Sequence, residues 1–127
     1  MRSAYSCLAL LLITFALPAL GQEAPSATAA VCTSITPKGN CEGGNTTFPV
    51  EVGKIYGFSQ VANVTDKIVH YWFHKDRFLG RVDLPIKAVH YKVWSTVTVS
   101  RDMTGPWRLE ARDASGTVLA SFNFSIH

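Results

Sequence analysis

The chain has 127 residues, 47% apolar, 17% charged and 11% aromatic, which allows one domain with a modest core and excludes a multidomain protein. Twelve Lys and Arg against nine Asp and Glu leave a formal charge of +3. That balance excludes a disordered polyelectrolyte and a dedicated nucleic-acid binder.

At the N-terminus Arg2 precedes an apolar run from Cys7 to Leu20, broken only by Thr14 and Pro18 and closed by Ala19-Leu20-Gly21. Small residues at these closing positions form a signal-peptidase site, so residues 1–21 read as a secretory signal peptide. The run is shorter than the roughly 20 residues that a permanent span requires, and Pro18 breaks its end. An uncleaved anchor is the alternative. A lipoprotein would need a cysteine where Gln22 stands. Cleavage removes Cys7 and leaves Cys32 and Cys41 as a pair in an exported, oxidising setting, periplasmic or extracellular. A disulfide closing the turn-rich stretch Thr33 to Asn40 is the natural reading. Two thiolates without a nearby histidine or second cysteine pair would supply half a zinc shell at best.

Residues 22–30 are small and have little to bury, and they predict a flexible leader ahead of a single domain over 31–127. From there the chain shows short β-branched and aromatic runs punctuated by Gly, Pro, Asn and Asp, with no helix-length periodicity. Strands are predicted at Val31–Thr36, Ile55–Val64, Lys67–His74, Phe78–Ile86, Tyr91–Ser100, Trp107–Arg112 and Val118–Ile126. Thr65-Asp66 and Lys75-Asp76-Arg77 are short antiparallel turns. In the last run Val118, Ala120, Phe122, Phe124 and Ile126 share one face, and Asp113-Ala114-Ser115-Gly116 joins it to Trp107–Arg112 as a hairpin. About seven half-buried strands in a chain of this length predict an all-β, antiparallel sandwich of immunoglobulin-like size.

Several fragments occur in a characteristic order: Tyr56-Gly57-Phe58-Ser59-Gln60-Val61, His70-Tyr71-Trp72-Phe73-His74, Val82-Asp83-Leu84-Pro85-Ile86 and Trp94-Ser95-Thr96. Gly105-Pro106-Trp107, Asp113-Ala114-Ser115-Gly116, Val118-Leu119 and Phe122-Asn123-Phe124 follow. From near Tyr56 to its end the chain thereby resembles the bacterial domain-of-unknown-function family DUF2914. The resemblance implies a small β-sandwich in exported or membrane-tethered proteins and no established activity. Where that family commonly has Trp-Arg-Thr, this chain has Trp94-Ser95-Thr96, so no role resting on an arginine carries over.

The candidate site residues come from the strand phases. On a strand, His70 and His74 point the same way but lie about 13 Å apart, too far for two zinc ligands at about 2.0–2.1 Å each. His70, Trp72 and His74 occupy one face and Val69, Tyr71 and Phe73 the other, so this strand carries rings on both sides and reads as central. Trp72 and Trp107 suit the core. Trp94 shares its phase with Lys92, Thr96 and Thr98, which puts it on the polar face as a stacking platform for a sugar or a protein. Between Lys67 and Lys92 the six cations Lys67, Lys75, Arg77, Arg81, Lys87 and Lys92 face two carboxylates, Asp76 and Asp83. The tentative binding set is Trp94, Lys92, His70, Trp72, His74 and Arg81. Catalytic, phosphate-binding and dinucleotide motifs are missing. The expected protein is an exported, non-enzymatic module without metal or cofactor, binding a cell-envelope polysaccharide or protein. The alternative is a small hydrolase or metal-dependent enzyme using the His70, His74 and His90 region.

Overall fold

The computed structural model describes residues 23–127, so the signal-peptide reading of residues 1–21 lies outside the described residues. Five short strands lead the chain: β1 Ser26–Ala27, β2 Ala30–Cys32, β3 Ser34–Ile35, β4 Cys41–Glu42 and β5 Thr47–Phe48. A 3₁₀ turn at Val50–Val52 follows. Then come six long strands: β6 Lys54–Ala62, β7 Lys67–His74, β8 Arg77–Pro85, β9 His90–Thr98, β10 Gly105–Asp113 and β11 Val118–Ile126. They correspond to six of the seven predicted runs, with ends shifted by at most two residues.

One sheet is built on β6, which pairs with β9 along one side and with β1 and β2 along the other. The facing sheet runs β5-β11-β10-β7-β8, antiparallel except where β5 joins β11 in parallel. The protein is therefore an all-β sandwich. The β10–β11 hairpin forms as predicted, its turn held by the Asp113 carboxylate accepting from the Thr117 and Ser115 amides at 3.0 and 2.9 Å. Lys75 and Asp76 both adopt positive φ, 53° and 62°, the conformation that a tight β7–β8 hairpin turn requires.

Two expectations change. The predicted run Val31–Thr36 divides, because the chain leaves β6 after Cys32 and pairs with β4 as a separate β3–β4 hairpin. The leader reading of residues 22–30 fails from Ser26 onward. Ser26 and Ala27 pair with Ala62 and Val61, and Thr28 donates its amide to the Gln60 carbonyl at 3.0 Å while its hydroxyl accepts from the Gln60 amide at 2.9 Å. Pairing to a sheet edge uses backbone groups, which small side chains leave accessible, so composition alone does not reveal it.

The interior holds two apolar clusters with a polar layer between them. Trp72, Trp107, Leu109, Phe124, Ile55 and Val31 belong to the larger cluster, and Val61, Val64, Ile68, Val93 and Ala111 form the smaller. Along β7 the inward residues run Ile68, His70, Trp72, so His70 sits at the boundary. On the opposite sheet Ser59 of β6 and Ser95 of β9 occupy the same layer, 2.9 Å from His70 Nε2 and 2.7 Å from Nδ1. Trp72 Nε1 donates to the same Ser95 hydroxyl at 3.1 Å. A neutral imidazole has one donor and one acceptor nitrogen, so two hydroxyls satisfy it without a charge. Next to this layer Gly57 lets the Trp72 indole rest on the β6 backbone, since a Cβ there would come within 2.5 Å of the ring and 2.8 Å of Leu109.

Burial lowers the His70 pKa from 6.5 to about 4. Between those values the unfolded chain binds the proton and the folded chain does not. The contribution is whole above pH 6.5 and drains as pH falls towards 4, by up to about 3 kcal/mol. Urea midpoints measured in steps from pH 7 to 4 are expected to fall with this slope, and His70→Gln to flatten it. The exposed Asp83 and Asp102 and the half-buried Asp113, lowered from 3.8 chiefly by hydrogen bonds from Arg81, Ser100 and Ser115, titrate below that window. Gly57→Ala forces a methyl into the Trp72 contact and is expected to lower unfolding free energy by about 1–3 kcal/mol in the same assay.

Candidate functional site

Cys32 and Cys41 are bonded, with their Cα atoms 5.8 Å apart. Between them the chain turns tightly, Gly39 donating its amide to the Thr36 carbonyl at 2.8 Å and Asn40 to the Thr36 hydroxyl at 3.0 Å. Gly39 has φ +80°, which suits glycine. The closed loop lies against the outer face of β9. Lys92 Nζ donates to Asn40 Oδ1 at 2.8 Å, and a Cβ at Gly39 would lie 3.6 Å from the Trp94 ring, so the loop borders the indole.

Strand phase explains what projects there. Val93 and Ser95 are buried, which turns Lys92, Trp94 and Thr96 outward, opposite Gln60, Phe58 and Tyr56 of β6. Phe58 is buried and Trp94 stays 40% exposed. The resulting open groove, about 490 Å³, is lined by Pro37, Lys38, Gly39, Gln60, His90, Tyr91, Lys92 and Trp94. It combines an aromatic surface, two lysines, an amide and an imidazole, and no carboxylate is among the lining residues. Such a surface stacks on a flat apolar ring face while donating hydrogen bonds to oxygens around its rim.

The six residues read from the sequence do not converge. Trp94 and Lys92 share the groove. His70 and Trp72 are interior groups, because the β7 face that carries them is the one turned towards β6 and β9. A ligand in the Trp94 groove does not reach them. His74 is half-buried, its Nε2 2.7 Å from the Thr104 carbonyl and its ring 5.1 Å from that of Trp107. Arg81 lies on β8 in the other sheet, paired with Asp83 at 2.8 Å. The histidines are likewise dispersed: His70 is sealed, His74 binds a carbonyl, and His90 begins β9 beside the groove. Among the described residues no group of three His, Cys, Asp or Glu could hold a metal ion. Ser59, His70 and Ser95 are a serine–imidazole arrangement in composition, but all three are buried and their capacity is spent joining the sheets.

Sequence reasoning missed one surface. On the outer face of the five-stranded sheet Arg108 lies over Phe73 at 4.2 Å and Arg112 over Tyr71 at 4.0 Å, with Glu110 bonded to both guanidinium groups. The alternation Arg108, Glu110, Arg112 signals an outward row, but only the pairing of Glu110 with Tyr71 brings the rings beneath it. These cations are already engaged with carboxylates, which makes the face a cross-strand brace.

Residues 65–126, from just before β7 to the end of β11, match the model of a family described as protein of unknown function (DUF2914). The resemblance carried by the sequence fragments is thus met over the last five strands. The disulfide loop and Gln60 lie before the matched stretch, whereas His90, Lys92 and Trp94 lie within it. No curated protein matches the chain. Among solved structures the fold is similar to the CARDB domain of the PF1109 protein from Pyrococcus furiosus, determined in complex with di-metal ions. The TM-score is 0.51 at 12% identity, over 88% of this chain and 95% of that one. At that identity the likeness concerns the fold.

The loop wall of the groove rests on the disulfide. Closing a loop of this size stabilises by about 2–3 kcal/mol. Replacing both cysteines by serine is expected to lower stability by that order and to shift Trp94 emission to the red as Gly39 withdraws, read by fluorescence with Trp72 and Trp107 buried as internal references.

Proposed function

We propose that this DUF2914 sandwich is an exported, non-enzymatic binding module that holds a segment of anionic cell-envelope polysaccharide in the Trp94 groove. The observation that carries the reading is the half-open indole of Trp94, flanked by Lys92 and Lys38 and bordered by a disulfide-closed loop. A ring held at a fixed angle against a rigid edge loses little freedom on binding, which favours stacking on a sugar. The surrounding cations favour carboxylate or phosphate substituents on that sugar. Export to the periplasm or the extracellular space rests on the apolar N-terminal run and on the disulfide, and cleavage after Gly21 leaves the β1 edge strand intact. Binding is favoured over hydrolysis because the Ser59–His70–Ser95 pairing is closed to solvent. A protein partner is the second occupant that the same groove would accept.

Titration calorimetry with a polyuronate and with a neutral glucan is the direct test. The polyuronate is expected to bind, and Trp94→Ala and Lys92→Glu are each expected to weaken it at least tenfold, about 1.4 kcal/mol. Equal affinity in wild type and both variants would remove the groove from the function.

A further inference from the structure

A second surface lies along strand β8, beside β9. Strand β8 ends the five-stranded sheet: it pairs with β7, and among the described residues no strand pairs with its other side. Long, free edge strands invite pairing with another chain, and proteins usually blunt them. This one is nine residues long, with Phe78 54% and Leu79 46% exposed at its start. Beside it an open apolar cavity of about 340 Å³ reaches between the sheets to Trp72, Val97 and Met103.

The sequence of β8 is chemically self-complementary about Val82. Arg81 and Asp83 flank it, both outward and about half-exposed, with Gly80 and Leu84 beyond them and then Leu79 and Pro85. We propose that β8 pairs antiparallel with β8 of a second copy about a two-fold axis at Val82, merging two five-stranded sheets into one. In this register Arg81 stands opposite Asp83 of the second copy and Asp83 opposite its Arg81, so the Arg81–Asp83 pair present in each copy at 2.8 Å joins its counterpart in one cluster of alternating charge across the joint. Gly80 faces Leu84 of the second copy, and a Cβ at Gly80 would meet nothing within 4 Å, so the inner side has room for that side chain.

The neighbouring registers are disfavoured by the same charges. A two-fold axis preserves which face is outward, so the axis moves by whole residues. Moving it to Arg81 sets arginine against arginine, and moving it to Asp83 sets carboxylate against carboxylate, each destabilising for residues directly opposed. Of these three registers only the one at Val82 pairs opposite charges. The groove at Trp94 lies on the outer face of the other sheet.

Sedimentation equilibrium of the purified protein tests the assignment. Wild type is expected to dimerise with a dissociation constant below about 1 mM. Arg81→Asp and Asp83→Arg, measured separately, place like charges at both pairs and are expected to weaken dimerisation at least tenfold. An equimolar mixture of the two variants restores opposite charges and is expected to recover the dimer as a heterodimer. A wild type wholly monomeric at 1 mM overturns the proposal, as do single variants that dimerise like wild type or a mixture that stays monomeric.

Discussion

A single imidazole in an apolar interior governs how the two sheets meet. His70 projects from one sheet into a layer that contains Ser59 and Ser95 of the other, and each ring nitrogen has one hydroxyl within bonding distance. Unpaired, a buried imidazole would cost more than most apolar contacts contribute, so the sheets come together in the arrangement that satisfies it. The bonds are directional in a way that hydrophobic contacts are not. They select one relative placement of β6, β7 and β9 from the many that would bury similar apolar area.

That selection reaches the surface through the period of the strands. With Ser95 inward, Trp94 and Thr96 face out, and with Ser59 inward, Phe58 and Gln60 do. The same residues that close the interior therefore decide which side chains stand in the groove. Ser95 also accepts from Trp72, so the indole that fills the larger cluster and the imidazole that divides the clusters share one hydroxyl. Ala111 is the residue of β10 opposite His70, and its small side chain leaves the ring space.

The two outer faces differ in how their charges are spent. On the five-stranded sheet Arg108 and Arg112 are bonded to Glu110 and Asp76, and they lie over Phe73 and Tyr71. On the four-stranded sheet Lys92 has an amide oxygen as its partner, and no carboxylate lines the groove. A cation whose partner is neutral keeps its attraction for an anion, whereas one already paired has little left to offer. The family match covers β7 to β11 and stops short of the loop that borders the groove, so this wall is a feature of the chain's own N-terminal part.

Much of the fold is legible locally. The alternation in Trp107–Arg112 and Val118–Ile126, the turn at Asp113–Gly116 and the polar phase of Trp94 are all properties of a few adjacent residues, because a strand's two faces repeat every second position. The spacing of Cys32 and Cys41 and the apolar run before Gly21 are equally local. Other features had no local signal. The β7 strand has rings on both faces, and alternation cannot say whether His70 and Trp72 or Tyr71 and Phe73 turn inward. That choice belongs to Ser59 and Ser95, which lie 11 and 25 residues from His70 in the chain and contribute hydroxyls from the opposite sheet. The pairing of Ser26–Ala27 and the closure of the Asn40–Lys92 contact were likewise decided by the tertiary structure, since hydrogen bonds between distant segments leave no periodicity in either one.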